Sequence, residues 1–170
     1  MLQALEEAKK AFSAGEVPVG AVLVKNNIVL SVGHNLVEET QIATKHAEMV
    51  AIERAITGDW RLVDATLYTT LEPCTMCLGA LQLARVKKVV YGAPDIRHGA
   101  CGSFVSLHLE KHPTHQIEVV GGVLEAESRN LLQSFFKKRR EHARNARRND
   151  SFPGKEIIET GTGDHSLSDI

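Results

Sequence analysis

The sequence of 170 residues contains few cysteines, almost no net charge and no long apolar run. Three cysteines, an odd and small number, exclude a disulfide-stapled secreted fold. A formal net charge of −1 favours no charged partner by itself. No apolar run reaches membrane-spanning length, and the chain opens on an amphipathic pattern instead of a signal peptide. We therefore expect a protein without a membrane partner in a reducing compartment, cytoplasmic or organellar (a plastid, for example).

The length suits one domain that buries a core without help from disulfides. Charge is distributed unevenly, because residues 137–148 are strongly basic and the last twenty residues lean acidic. Residues 149–170 are rich in glycine, serine and aspartate and offer too little apolar surface to pack. The sequence therefore predicts a domain over residues 1–148 and a disordered tail over residues 149–170.

Helical and strand-like patterns alternate through the predicted domain. Helical spacing predicts helices near residues 2–15, 45–56, 74–84 and 124–148. Short β-branched and apolar runs predict strands at residues 19–24, 28–32, 65–70, 88–91 and 117–120. The first two strands form a predicted antiparallel hairpin, and the helix between the third and fourth implies a parallel crossover. The expected fold is α/β, in three layers, with helices on both faces of a mixed five-stranded sheet.

Two short motifs at predicted helix starts contain residue types that bind zinc. His46 is followed two residues later by Glu48, and Cys74 and Cys77 lie three residues apart directly after Pro73. Structural zinc sites usually have four protein ligands, whereas catalytic sites keep three and leave one position for water. His46, Cys74 and Cys77 supply three, so the pattern predicts a catalytic zinc site.

Glu48 is the candidate proton carrier of this predicted site. Its position two residues after His46 turns its side chain away from the ligating direction, which favours an acid–base role. Zinc lowers the pKa of a coordinated water toward ~7, so a nucleophile would be available at neutral pH. A helix N-terminus and a metal both favour the thiolate form of Cys74 and Cys77.

Each motif alone has an ordinary alternative. The cysteine pair alone is as compatible with a buried pair, or with half of a structural zinc site, as with a catalytic site. An isolated His-Ala-Glu is more typical of a helix surface than of a metal ligand. The two motifs together, the second directly after a strand, favour a catalytic metal site. Cys101, in a glycine-rich loop, is expected to be a small buried side chain. His115 is expected to be packed or hydrogen-bonded instead of ligating the metal.

With both motifs in place, the chain resembles the zinc-dependent cytidine-deaminase-like superfamily and, more narrowly, the bacterial-type tRNA-specific adenosine deaminases. The resemblance extends from about Leu5 to Arg140. It is carried by residues 15–24, Asn35, His46-Ala47-Glu48, Arg61-Leu62, residues 71–74 with Met76-Cys77, Gly92-Ala93 with Asp95, Gly99-Ala100 with Gly102-Ser103, Phe135-Phe136 and Arg139-Arg140.

The resemblance implies hydrolytic deamination of adenosine to inosine at the wobble position of a tRNA anticodon. In the family the target base is flipped into the pocket, zinc-activated water attacks its six-position carbon, and the residue matching Glu48 moves the protons. One zinc ion per subunit and a homodimer are also implied. The matching substrate-binding positions are Asn35, Ala47 and Asp95.

Several basic residues are candidate RNA contacts. Lys45 and Arg97 lie where the chain departs from the family pattern, and each is a candidate for a phosphate contact and equally for a solvated surface charge. The basic helix end is either a solvated face that complements the helix dipole or a surface for the tRNA backbone. We favour the second interpretation, since the resemblance ends in this stretch. Its candidate contacts are Lys137, Lys138, Arg139 and Arg140.

Two other functions are compatible with parts of the pattern. A deaminase of a free nucleobase or nucleoside, of the guanine or cytosine type, would share every metal ligand. A zinc-stabilised RNA-binding module without catalysis would share the ligands but would have no need of the Glu48 carboxylate. The basic helix end argues against the first alternative, and Glu48 argues against the second.

Overall fold

The computed structural model describes residues 1–55 and 58–150, the last four of them by backbone alone. Within these ranges the helices are α1 (Leu2–Ser13), α2 (Val37–Thr40), α3 (Ala47–Arg54), α4 (Thr75–Leu83) and α5 (Glu125–Asp150), with a 3₁₀ turn at Leu107–Leu109. The strands are β1 (Gly20–Lys25), β2 (Ile28–His34), β3 (Thr66–Leu71), β4 (Lys88–Ala93) and β5 (Glu118–Val120). None of the described helices has the length and apolar character needed to cross a membrane.

The five strands form one mixed sheet in the order β2-β1-β3-β4-β5. β1 pairs antiparallel with β2 and β3, whereas β3–β4 and β4–β5 are parallel. The hairpin turns at Asn26 and Asn27, whose φ angles of 51° and 62° suit the two-residue turn that matches strand twist. The predicted hairpin, the parallel crossover pair and the mixed five-stranded sheet are confirmed.

Helices cover both faces of this sheet. Gly33 and His34 are neighbours in β2, so they face opposite sides. A Cβ at Gly33 would lie 2.5 Å from the Ala47 oxygen of α3. On the other face, His34 Nδ1 lies 2.8 Å from Glu7 Oε2 of α1. α4 packs beside α3, and the ring of Phe135 in α5 contacts Phe12 of α1 at a centroid distance of 5.7 Å. The expected three layers are confirmed.

The main core lies between the sheet and the α3–α4 layer. It includes side chains from β1, β3 and β4 together with those of both helices; fully buried members are Leu23, Leu67, Leu78, Leu81 and Val89. This apolar packing is the principal stabilising contribution, at about 25 cal/mol per Å² of buried apolar surface. It also fixes the starts of α3 and α4 relative to the strand ends.

Two sequence predictions differ in detail from the structure. The stretch expected to be a polar loop before α3 contains the four-residue α2, which is too short to produce a helical period. The tail was predicted to begin at residue 149, but residues 149 and 150 belong to α5. Residues 151–170 lie outside the described residues, and so does Ile56, the expected end of α3. Met1–Lys137 form one compact unit and a second begins at Lys138. The boundary at residue 148 stays a prediction.

Gly33→Ala is expected to destabilise the fold, because the new methyl would lie 2.5 Å and 2.7 Å from backbone atoms of Ala47 and Ala51. Overpacking of this kind costs about 1–3 kcal/mol. The matched control is Gly79→Ala in α4, where a Cβ meets nothing within 4 Å and a helical alanine is favoured. Thermal unfolding should give a lower Tm for Gly33→Ala and an equal or higher Tm for Gly79→Ala. Equal Tm values for Gly33→Ala and wild type would contradict the close packing of α3 on β2.

Candidate metal centre and active site

The two sequence motifs meet at the N-termini of two neighbouring helices. His46 is the N-cap of α3 and Cys74 is the N-cap of α4, both with extended backbone at ψ 156° and 173°. Cys77 follows in the first turn of α4 and is buried. Because α3 and α4 pack together on one face of the sheet, their first turns lie side by side. The fold thus brings His46 next to two cysteines that lie 28 and 31 residues away in sequence.

The three ligand atoms have the spacing of a metal site. His46 Nδ1 lies 3.5 Å from Cys77 Sγ and 3.7 Å from Cys74 Sγ. All three ligand atoms lie within 4.8 Å of one another. Zinc–sulfur and zinc–nitrogen bonds of about 2.3 and 2.0–2.1 Å in a tetrahedron would place nitrogen and sulfur ligands about 3.6 Å apart. The residues present therefore fit a tetrahedral metal ion with one open position.

Hydrogen bonds among the three candidate ligands shift their pKa values. Cys77 donates a hydrogen bond to Cys74, which lowers the pKa of the Cys74 thiol to about 4. The same hydrogen bond, together with burial, raises the pKa of Cys77. The hydrogen bond to Cys74 raises the pKa of His46. A cation bound between the three groups would replace these shared protons, so the cluster binds a metal more readily as pH rises.

Glu48 lies beside this cluster without belonging to it. The metal-binding group among the described residues comprises His46, Cys74 and Cys77. Glu48 is in the first turn of α3, is only 3% exposed and lines the same cavity as His46. Burial raises the pKa of its carboxyl. A carboxyl held next to a metal position, and more basic than an ordinary one, is suited to exchange protons with a reacting molecule.

These groups lie in a cavity of about 650 Å³, within the range of small-molecule sites. Its lining combines apolar and polar side chains from five segments of the chain. The predicted site residues that line it are Asn35, His46, Ala47, Glu48, Cys74, Asp95 and Arg97. The lining residues that the sequence analysis did not assign to the site are Val17, Val19, Val37, Glu38, Leu71, Glu72, Thr75, His98 and Phe104.

One side of the cavity is fixed by a buried glutamate that the sequence analysis missed. Glu16 is fully buried and accepts hydrogen bonds from Asn35 Nδ2 at 2.9 Å and from the Glu39 backbone N–H at 2.7 Å. The Asn35 backbone N–H donates to Val19. Asn35 is therefore held at both ends. The only sequence signal was an acidic residue at the edge of an apolar run.

A second buried glutamate holds the other side. Glu72 Oε2 accepts a hydrogen bond from the Asp95 N–H at 3.0 Å, and Oε1 accepts from the N–H groups of Cys101 and Ser103 at 2.8 and 3.1 Å. Asp95 in turn accepts from the Arg97 backbone N–H at 3.0 Å. Backbone donors leave no trace in the sequence, so this arrangement could not be predicted from it.

The remaining candidates lie outside the cavity lining. Lys45 Nζ pairs with Glu53 Oε2 at 2.5 Å. The four basic residues of the helix end, Lys137 to Arg140, are exposed along α5. His115 Nε2 is bonded to the Val86 carbonyl at 2.7 Å, and Cys101 is buried at 6% exposure. The predictions for His115 and Cys101 are confirmed, whereas RNA contacts by the basic residues stay predictions.

Comparisons with known proteins agree with this site. The family model of the MafB19-like deaminases matches residues 1–140. A tRNA-specific adenosine deaminase from Bacillus subtilis (strain 168) is 50% identical over 151 residues, which cover 88% of this chain and 94% of that protein. A chloroplastic tRNA(adenine(34)) deaminase of Arabidopsis thaliana is 45% identical over 82% of this chain, though over only 12% of its own length.

A solved structure from a study of A-to-I editing by tRNA:A34 deaminases at the wobble position of transfer RNA matches with a TM-score of 0.73 and 41% identity. The match covers 76% of this chain and 95% of that one. The expected cytidine-deaminase-like fold is thus confirmed. With near-complete coverage of a relative at 50% identity and a deaminase family model over residues 1–140, the chain belongs to the deaminase family, among the tRNA-specific adenosine deaminases.

Proposed function

We propose that this protein hydrolyses adenosine to inosine at the wobble position of a tRNA anticodon, with one zinc ion per subunit held by His46, Cys74 and Cys77. The observation that carries the proposal is the buried Glu48 beside a three-ligand cluster in a cavity. Relatives named as tRNA-specific adenosine deaminases support adenosine in tRNA as the substrate. The reaction would take place in the cytoplasm or in a plastid.

The chemistry divides between the metal and the chain. When bound, zinc supplies a Lewis acid that activates a water molecule at neutral pH. Glu48 would take one proton from that water and deliver it to the ring nitrogen of the base. It would then take the second proton from the hydroxyl added to the base and deliver it to the amino group, which leaves as ammonia. Its burial favours this shuttle, because a raised pKa brings the carboxyl closer to the pH at which both proton transfers must occur.

The cavity side chains would orient the target nucleotide. The Ala47 N–H is at the first position of α3, where a helical amide has no acceptor within its own helix, so it can donate to the bound base. Asn35 and Asp95 approach from the two sides that Glu16 and Glu72 hold in place. Flipping the base into a cavity exchanges its stacking for these contacts.

Basic side chains would bind the anticodon stem-loop. Arg97 lines the cavity and is exposed, so its guanidinium can meet a phosphate next to the target base. The basic end of α5, residues 137–148, adds sequence-independent attraction for the RNA backbone.

A homodimer is part of the proposal: α4 exposes Leu83 at 66%, an apolar side chain of the kind that a subunit interface covers.

The substrate assignment predicts inosine in a synthetic anticodon stem-loop that carries a wobble adenosine, in single turnover and in proportion to the zinc-loaded sites. Free adenosine, guanine and cytosine should react at least about 100-fold more slowly, because remote contacts with the RNA contribute to transition-state binding. Rapid deamination of a free base by zinc-replete protein that leaves the stem-loop unchanged would assign the site to nucleobase deamination instead.

Glu48→Gln should lower the single-turnover rate by about 10²–10⁴-fold, since the amide keeps the shape of the carboxyl but cannot take up the proton. Zinc content and Tm should stay close to wild type. The matched control is Glu53→Gln on the same helix, whose exposed pair with Lys45 contributes about 0–1 kcal/mol. If Glu48→Gln retained the wild-type rate, Glu48 would not be the proton carrier.

Cys77→Ser should leave the purified protein with far less than one zinc per chain after dialysis against a weak chelator. Cys101→Ser is the control, because Cys101 is also a buried cysteine but is not part of the His46, Cys74 and Cys77 cluster. Atomic absorption on both variants provides the measurement. Cobalt-loaded wild type and Cys101→Ser should both show thiolate charge-transfer absorption. Equal zinc loss in the two variants would argue against the assigned ligand set.

A further inference from the structure

We propose that Glu72 is a positioning residue that fixes the loop 95–103 (the substrate loop) against the segment carrying the metal ligand Cys74. Its carboxylate would act through the loop backbone and not on the base. The role of the loop in binding the target nucleotide rests on the proposed function. The hydrogen bonds from the loop to Glu72 (the clamp) are a property of the fold and can be tested separately.

The first observation is the number and origin of the hydrogen bonds to Glu72. Three backbone N–H groups, from Asp95, Cys101 and Ser103, converge on one carboxylate that is 2% exposed. These donors come from the beginning and the end of the substrate loop, so one side chain closes the loop. Glu72 borders the cavity, but both of its oxygens are engaged by the loop. Hydrogen bonds from amides to a buried charged group are among the stronger ones.

The second observation is the absence of space between the loop and this carboxylate. A Cβ at Gly99 would lie 2.4 Å from both Cδ and Oε2 of Glu72, and 2.6 Å from the Asp95 carbonyl oxygen. The loop backbone therefore wraps directly around the carboxyl group. Only glycine permits this approach at position 99. The Gly99 N–H also donates to the Asp95 oxygen at 2.8 Å, which closes the turn from inside.

The third observation links the loop to the metal ligand. Cys74 pairs with Gly99 in an isolated β-bridge, and the Ala100 N–H donates to the Pro73 oxygen at 2.8 Å. The Glu72 N–H donates to Ala93 at the end of β4. The segment 72–74 is consequently bonded to the substrate loop through the Glu72 side chain and through its own backbone. These contacts set the position of Asp95 relative to Cys74.

The expected consequence is an effect on substrate binding more than on chemistry. If the clamp is weakened, the substrate loop samples more conformations and the nucleotide must order it on binding. His46, Glu48 and Cys77 lie at the starts of α3 and α4, outside the segment 72–74 that is bonded to the loop. A variant of Glu72 should therefore raise KM for the stem-loop while kcat and metal content change little.

The test is Glu72→Gln, compared with wild type and with Glu118→Gln, a side chain 62% exposed on β5. The amide keeps the shape but presents N–H to the Asp95 N–H in place of an acceptor. We expect KM for the stem-loop to rise about tenfold or more, with kcat within about threefold of wild type and one zinc per chain. Hydrogen exchange of a peptide over residues 95–104 should accelerate at least about tenfold, with exchange in β1 and β3 unchanged.

A second variant, Gly99→Ala, keeps Glu72 and displaces the loop from it, so it should give the same rise in KM and the same local exchange. Loop exchange at the wild-type rate in both variants would overturn the clamp. Accelerated exchange throughout the sheet, or a fall in kcat without a rise in KM, would overturn the positioning role and leave Glu72 a general stabiliser. If wild-type protein forms no inosine, the proposed function fails, and the exchange comparison still decides whether Glu72 holds the loop.

Discussion

The structure of the site depends on the close approach of α3 and α4 to one face of the sheet. That approach is possible because β2 has glycine at position 33, where a side chain would collide with the backbone of α3. With both helices seated, His46 and Cys74 become neighbouring N-caps, and ligands 28 and 31 residues apart come within bonding range of one ion. A packing constraint in the core thus fixes the geometry of the chemistry at its edge.

Four buried glutamates in the described chain do different work because their partners differ. Glu7 is held by Lys10 and His34 and joins α1 to β2. Burial alone would raise the pKa of Glu7, but these two partners lower it, so its contribution to stability is present above the pKa of an unfolded glutamate and is lost as pH falls through the lowered value. Glu16 and Glu72 accept neutral donors and hold loops. Burial raises the pKa of Glu48 although the neighbouring His46 lowers it, and this makes Glu48 the one suited to proton transfer.

The five strands, the four longer helices and the metal cluster could be predicted from the sequence, because they follow from periodicity and ligand chemistry. Alternating and helical patterns give the strands and helices, and cysteine three residues from cysteine at a helix start has few common roles. The supporting network was not predictable, because Glu16 and Glu72 bind backbone amides that any residue could supply. Helix α2 was missed for a related reason: four residues do not form a repeat. The sequence left Lys45 either as a phosphate contact or as a solvated surface charge. Its ion pair with Glu53 depends on the folded structure and could not be predicted from the sequence.

The fold supports the proposed catalytic groups and the proposed substrate-binding groups in different ways. Metal ligands and Glu48 stand on helix N-termini that are anchored by core packing, whereas Asn35 and Asp95 belong to loops held by single buried carboxylates. A loop can change its outward side chains while its backbone stays bonded to the same carboxylate. The departures from the family pattern at residues 42–45 and 96–98 fall in these loops, and Arg97 lines the cavity while its backbone N–H remains bonded to Asp95. An outward side chain such as Arg97 can therefore change without disturbing the metal cluster, because the bonds that hold the loop to Glu72 and to the Cys74 segment are made by the loop backbone.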